Sequence, residues 1–275
     1  GLVLALAGCG QSSSTSRKQV SAYITEVKHV ETALTPPLTT VTRISAQVTA
    51  KGGKNLLGRT PLTSAKRQLK VALAQIDVQE QRLRALPAPA SAANLRSLVL
   101  RLTSDQAALT HQLALLVAFL PRFNATVAPL QPALIRLEKV LSERQASGTA
   151  AVTALYTAKA QALRRFESTT DQITGRLRPL SPPLVSKPAY DAQLTSLRGM
   201  GTSAGKLASA LAGGHPGDVR PLLIDFDKAA LATHTKAVQR QQIAAIRRYD
   251  ARSRQLTILA EDISRERLRL SNTLK

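Results

Sequence analysis

Aliphatic residues recur at three- and four-residue steps along most of this chain, and that period admits one kind of regular structure. Val20, Tyr23, Ile24, Val27, Val30 and Leu34 fall on a single face of a helix. Pro36-Pro37 is expected to stop it, and Leu38, Val41, Ile44 and Val48 then mark a second, shorter helix ending at Lys51-Gly52-Gly53-Lys54. Thr60-Pro61 reads as a cap and a first-turn proline ahead of a long stripe, Leu62, Ala65, Leu69, Ala72, Ile76, Leu83 and Leu86, closed by Pro87 and Pro89. Leu95, Leu98, Leu102, Leu109, Leu113 and Leu116 form the next stripe, with Pro121 as its expected end. A short helix from Pro132 to Gln145 precedes Ser147-Gly148. Leu222 to Lys275 contains neither glycine nor proline, and a break is expected near Ala232 to Thr235.

Only 3% of residues are aromatic and there is no tryptophan, so the core must be aliphatic, and the Ala-, Leu- and Arg-rich composition favours helix over sheet. The expected fold is all-α, an up-and-down helical bundle or stacked helical hairpins. An internal repeat accompanies it. Arg82-Leu83-Arg84-Ala85-Leu86-Pro87-Ala88-Pro89 matches Arg176-Leu177-Arg178-Pro179-Leu180-Ser181-Pro182-Pro183, and an Ala-x-Leu-x-Ser-Leu signature follows each, at 93–98 and 192–197. The repeats are expected over about 60–148 and 149–275, with a weaker echo at Arg267-Leu268-Arg269.

The start of the chain constrains location. Leu2 to Leu6 is a short apolar run, followed by Ala7, Gly8 and Cys9, the single cysteine. Leu6-Ala7-Gly8-Cys9 resembles the lipobox of bacterial lipoproteins. That resemblance implies cleavage before Cys9, a diacylglyceryl group on its sulfur and an extracytoplasmic chain anchored to the cell membrane by lipid. Residues 1–8 would then be the remnant of a signal peptide, 9–16 a lipidated cysteine with a flexible polar tether (Gln11 to Ser16), and 17–275 one helical body. Proline-linked aliphatic helices behind a lipobox resemble the all-helical lipoproteins of actinobacteria, a likeness that brings no activity with it. The longest uninterrupted apolar run after Cys9 is Leu113 to Leu120, too short to span a bilayer, so the lipid is the expected attachment.

The net charge is +21. Outside the cytoplasm, and without aromatic stacking residues, nucleic acid is not the expected partner. Anionic lipid headgroups, acidic cell-wall polymers or another envelope protein are. The densest basic stretch lies between Glu31 and Asp77, where no acidic residue interrupts Arg43, Lys51, Lys54, Arg59, Lys66, Arg67 and Lys70. These seven are the candidate anionic-surface residues; a solvated helical surface is the alternative.

No catalytic or metal-binding constellation emerges. His29, His111, His215 and His234 lack ligand spacing, and no second cysteine could complete a zinc site. Gly199-Met200-Gly201-Thr202-Ser203-Ala204-Gly205 follows a helical stretch rather than a strand and is expected to be a close helix contact or kink, not a dinucleotide loop. Asp218 is expected to cap a helix. Asp77/Arg84, Asp171/Arg178 and Asp262/Arg269, each pair seven apart, are expected to form a solvated stripe or interhelix pairs. The expected function is a non-enzymatic binding or scaffolding module at the cell envelope, with neither cofactor nor metal. A carrier or sensor of a hydrophobic ligand and an enzyme with an unrecognised site are the alternatives.

Overall fold

The computed structural model describes residues 11–49, 59–143 and 148–274. Among them every regular element is helical: α1 (Gln11–Thr49), α2 (Arg59–Ala85), α3 (Ala93–Val127), α4 (Leu130–Ser142), α5 (Thr149–Leu177), α6 (Lys187–Ala212), α7 (Pro216–Leu231) and α8 (Lys236–Asn272). Single 3-10 turns, Ala90–Ala92 and Ala232–His234, precede α3 and α8. The fold is all-α, as the periodicity predicts. The break between α7 and α8 falls where the sequence places it.

The chain divides into two compact units, residues 1–117 with 248–275, and residues 118–247. One helical body over 17–275, with repeats over about 60–148 and 149–275, is the expectation; the boundary between those repeats lies inside the second unit.

The first unit contains α1, α2, most of α3 and the last part of α8. The contacts fix their directions. Arg82 meets Glu26 at 2.8 Å and Gln68 meets Arg43 at 2.6 Å, so α2 runs antiparallel to α1. Arg267 pairs with Glu31, and Tyr249 bonds Ser45, so α8 also runs antiparallel to α1. The predicted stripe of α1 is the core: Val20, Tyr23, Ile24, Val27, Val30 and Leu34 pack with Ile76 and Leu83 of α2, Leu95 and Val99 of α3, and Ile263 and Leu270 of α8. A second cluster joins Ile44 of α1 to Leu62, Ala65 and Leu69 of α2 and Leu113 and Val117 of α3. Ile44, Leu69 and Ile76 are each 0% exposed, and each contributes about 1.5–3 kcal/mol by leaving water.

The second unit is built on the α5–α6 hairpin. Leu163, Phe166, Ile173 and Leu177 of α5 pack on Leu197, Met200, Ala204, Leu207 and Ala208 of α6, with Phe119, Ala133 and Leu137 alongside. The Gly199–Gly205 stretch is helical and serves as a close contact, as expected. A Cβ on Gly201 would stand 2.5 Å from Thr170 Oγ1, and one on Gly199 would stand 2.7 Å from Ala229 Cβ of α7. Small residues here let α5 and α7 approach the α6 backbone. Helix α6 ends when Gly214 turns left-handed (φ 69°) and the His215 N–H bonds back to Ala210 O at 3.0 Å.

Several local expectations are corrected. Pro36 and Pro37 lie inside α1, and Pro121 lies inside α3. Each proline removes one backbone donor, but buried Leu34 and Ile44 hold α1 on both sides of the pair, so tertiary burial carries the helix through. Gln11 to Ser16, expected as a tether, forms the opening turns of α1. Asp218 is not the cap of α7: His215 occupies that position and Asp218 sits in the first turn, where its charge still suits the helix dipole. The stretch Ala90–Ser142 contains one helix long and apolar enough by length and composition to cross a membrane, although no uninterrupted apolar run in it is that long. Within the first unit its apolar side supplies Leu95, Val99, Leu109, Leu113 and Val117 to buried positions.

The two repeat signatures occupy like settings. Arg82–Pro89 ends α2 and turns into α3, and Arg176–Pro183 ends α5 and turns towards α6. The third echo, Arg267-Leu268-Arg269, lies within α8 and makes no corner.

Candidate functional site

The basic stretch is carried by α1 and α2. Arg43, Lys66, Arg67 and Lys70 are exposed. Arg43 stands next to buried Ile44, while Lys66 and Lys70 stand next to buried Ala65 and Leu69; a packed apolar seam thereby fixes the helices that present them. Arg43 donates to Gln68 Oε1 at 2.6 Å. None of the four forms an ion pair with a carboxylate among the described residues. Arg59 begins α2; Lys51, Lys54 and Leu6-Ala7-Gly8-Cys9 lie outside the described residues.

Continuity of α1 changes the distance between this stretch and the chain start. The 39 residues of α1 span about 58 Å at 1.5 Å each, which sets Arg43 about 48 Å along the helix from Gln11. The exposed line that connects them, Lys18, Ala22, Thr25, His29, Thr32, Pro36, Thr39 and Arg43, contains no carboxylate.

Asp77/Arg84, Asp171/Arg178 and Asp262/Arg269, expected as a solvated stripe or interhelix pairs, make no interhelix ion pair among the described residues. Arg84 pairs with Glu80 and Arg269 with Glu266, each within one turn, and Asp262 pairs with Arg265 at 2.7 Å. Glu266 is buried on α8, and the Arg269 guanidinium, with help from Asn94, holds its carboxyl below the usual carboxylate range. This cluster ties α8 to α3 and is structural. Among the described residues no three His, Cys, Asp or Glu side chains converge to hold a metal; His29 pairs with Glu26 at 3.6 Å, and the other histidines stand on separate elements.

A feature the sequence reading missed lies in the second unit. Helices α4, α5, α6 and α7 line a half-open pocket of about 450 Å3, walled by Leu141, Leu163, Leu207, Leu211 and Val219, with Tyr156 and Leu223 at exposed positions. Lys159 and His215 also line it, and among the described residues no carboxylate does. Lys159 donates to Leu141 O at 2.9 Å, one of the last carbonyls of α4. Its signal was in the sequence: Lys159, Leu163, Phe166, Thr170, Ile173 and Leu177 keep one helical phase, so a lysine occupies the core stripe of α5. A more open groove of about 1040 Å3, which shares Ala210 and His215 with this pocket, is lined by Arg164, Lys206, Glu167 and Asp218 among others.

No family model, curated protein or solved structure matches this chain.

Proposed function

We propose that this protein is an extracytoplasmic lipoprotein, anchored through a diacylglyceryl group on Cys9 and acting as a non-enzymatic binding or scaffolding module at the cell envelope. The lipobox supports the anchor. The observation that carries the binding role is the set of exposed, carboxylate-free cations on α1 and α2, Arg43, Lys66, Arg67 and Lys70, in a chain of net charge +21.

The geometry of α1 states what orientation this reading requires. A lipid at Cys9 and cations about 48 Å along the helix reach the same bilayer only if α1 lies along the surface. Its outer line from Lys18 to Arg43 has no acidic residue of its own, Glu26 reaching it only at His29, and suits that pose. Each basic side chain near an anionic leaflet contributes about 1 kcal/mol, and acyl chains supply residence, so the cations set orientation rather than attachment.

The test uses the full chain with Cys9→Ser, so that no acyl group contributes. It is expected to co-sediment with phosphatidylglycerol vesicles, to ignore phosphatidylcholine vesicles, and to dissociate in high salt. The triple variant Lys66→Glu, Arg67→Glu, Lys70→Glu should bind at least ten-fold more weakly with an unchanged melting temperature. Indifference to headgroup charge would sink the membrane role; retention on a polyanionic wall polymer alone would move the partner to the wall. For the anchor, mass spectrometry of the natural product should find a lipidated Cys9 at the N-terminus.

A further inference from the structure

We propose that the cavity between α4, α5, α6 and α7 binds a long-chain fatty carboxylate, with its aliphatic chain among the leucines and its head group on Lys159. This site is distinct from the basic stretch of α1 and α2.

The chemistry of the walls selects the ligand. Leu163, Leu207 and Leu211 come from two helices and present aliphatic carbon, and a volume of about 450 Å3 lies within the range of about 300–1,000 Å3 used for small organic ligands. Tyr156 and Leu223, 38% and 40% exposed, give the opening an apolar rim through which a hydrocarbon could enter. A purely apolar ligand would leave the polar part of the wall without a match. Lys159 Nζ carries three donors, and the protein engages one of them, through Leu141 O at 2.9 Å. The remaining two have no carboxylate on the pocket wall to bind among the described residues. A ligand carboxylate supplies the opposite charge and two acceptor oxygens, and the imidazole of His215 stands on the same wall. The fixed bond to Leu141 O holds the ammonium in place before any ligand arrives, which lowers the entropic cost of binding.

The full chain with Cys9→Ser is the protein to test, because the anchor's own acyl chains would otherwise compete. Displacement of a fluorescent fatty-acid analogue by saturated carboxylates from octanoate to hexadecanoate should show saturable, one-to-one binding. Affinity should rise about four-fold per added methylene until the chain fills the cavity. Lys159→Met should weaken dodecanoate ten-fold or more and leave dodecanol unchanged, and Lys159→Arg should restore much of the loss. Leu211→Trp, or Leu223→Trp at the exposed rim should the first fail to fold, should weaken both ligands. The triple charge reversal on α2 should change neither. Absence of saturable displacement overturns the proposal, as does dodecanoate binding that Lys159→Met or both tryptophan variants leave intact. A Lys159→Met variant that melts earlier yet binds normally would assign the lysine to capping α4 alone.

Discussion

The Tyr190 hydroxyl donates to the Leu177 carbonyl at 2.7 Å, tying the first turn of α6 to the last residue of α5. That carbonyl also accepts the Leu180 N–H at 2.8 Å, so it is not left bare when the tyrosine is removed. Tyr190→Phe should therefore cost one net hydrogen bond, about 0.5–1.5 kcal/mol, in urea unfolding. Tyr23 is the internal control. It is equally buried, at 3% against 5% exposed, but its hydroxyl meets no partner among the described residues, and burial pushes its pKa up. Tyr23→Phe should cost nothing or stabilise. A raised folded pKa means stability that is present below the unfolded value of about 10 and lost as pH rises through the folded one, so Tyr23→Phe should also lessen alkaline destabilisation.

Gly199 presses on Ala229. Alanine at 199 would gain about 1 kcal/mol of helix propensity, but its Cβ would stand 2.7 Å from Ala229 Cβ, a contact neither side chain can rotate away from. Overpacking of this kind costs about 1–3 kcal/mol, so Gly199→Ala should destabilise the protein. In an Ala229→Gly background the same substitution should be neutral or stabilising. A double-mutant cycle of unfolding free energies measures the coupling, and independent effects would contradict the close approach.

Pro36 is exposed and lies within α1. Pro36→Ala restores the donor to the Thr32 carbonyl and removes the ring's clash with the preceding turn, a gain of up to about 3 kcal/mol. Greater freedom of the unfolded chain offsets about 0.4–1 kcal/mol of it. The melting temperature should rise. A fall would mean that α1 is interrupted at the prolines after all.

Glu266 gives the acid limb of stability. Its folded carboxyl lies below the ordinary range because Arg269 favours the charged form. Its contribution is therefore complete above the unfolded value, about 4.3, and is lost as pH falls through the folded one. Melting curves of wild type and Glu266→Gln should differ at neutral pH and draw together as the solution is acidified below about pH 4. A gap that stays constant with pH would show that the ion pair does not report on folding.

Much of the core was legible because period alone determines which side of a helix leaves water. Val20 to Leu34, Leu62 to Leu83 and Leu95 are buried where the stripes put them. Pro36, Pro37 and Pro121 were misread because proline is a local signal, and here apolar burial on both flanks outweighs a lost donor. The basic stretch was legible as composition, but its distance from the chain start depended on α1 being continuous. The pocket was not legible, since a concave volume of this kind arises only when four helices meet; only Lys159, out of character in the α5 stripe, hinted at it.

Pairing of Glu31 with Arg267 joins residues 236 positions apart, so the first unit draws on both ends of the chain. The second unit, residues 118–247, is one uninterrupted stretch. As the polypeptide leaves the ribosome, the later-numbered stretch can thus reach its native state first, while α1 and α2 wait with an apolar side uncovered until α8 emerges. Nascent chains halted before Leu259 should for that reason be the species that chaperones hold and proteases cut.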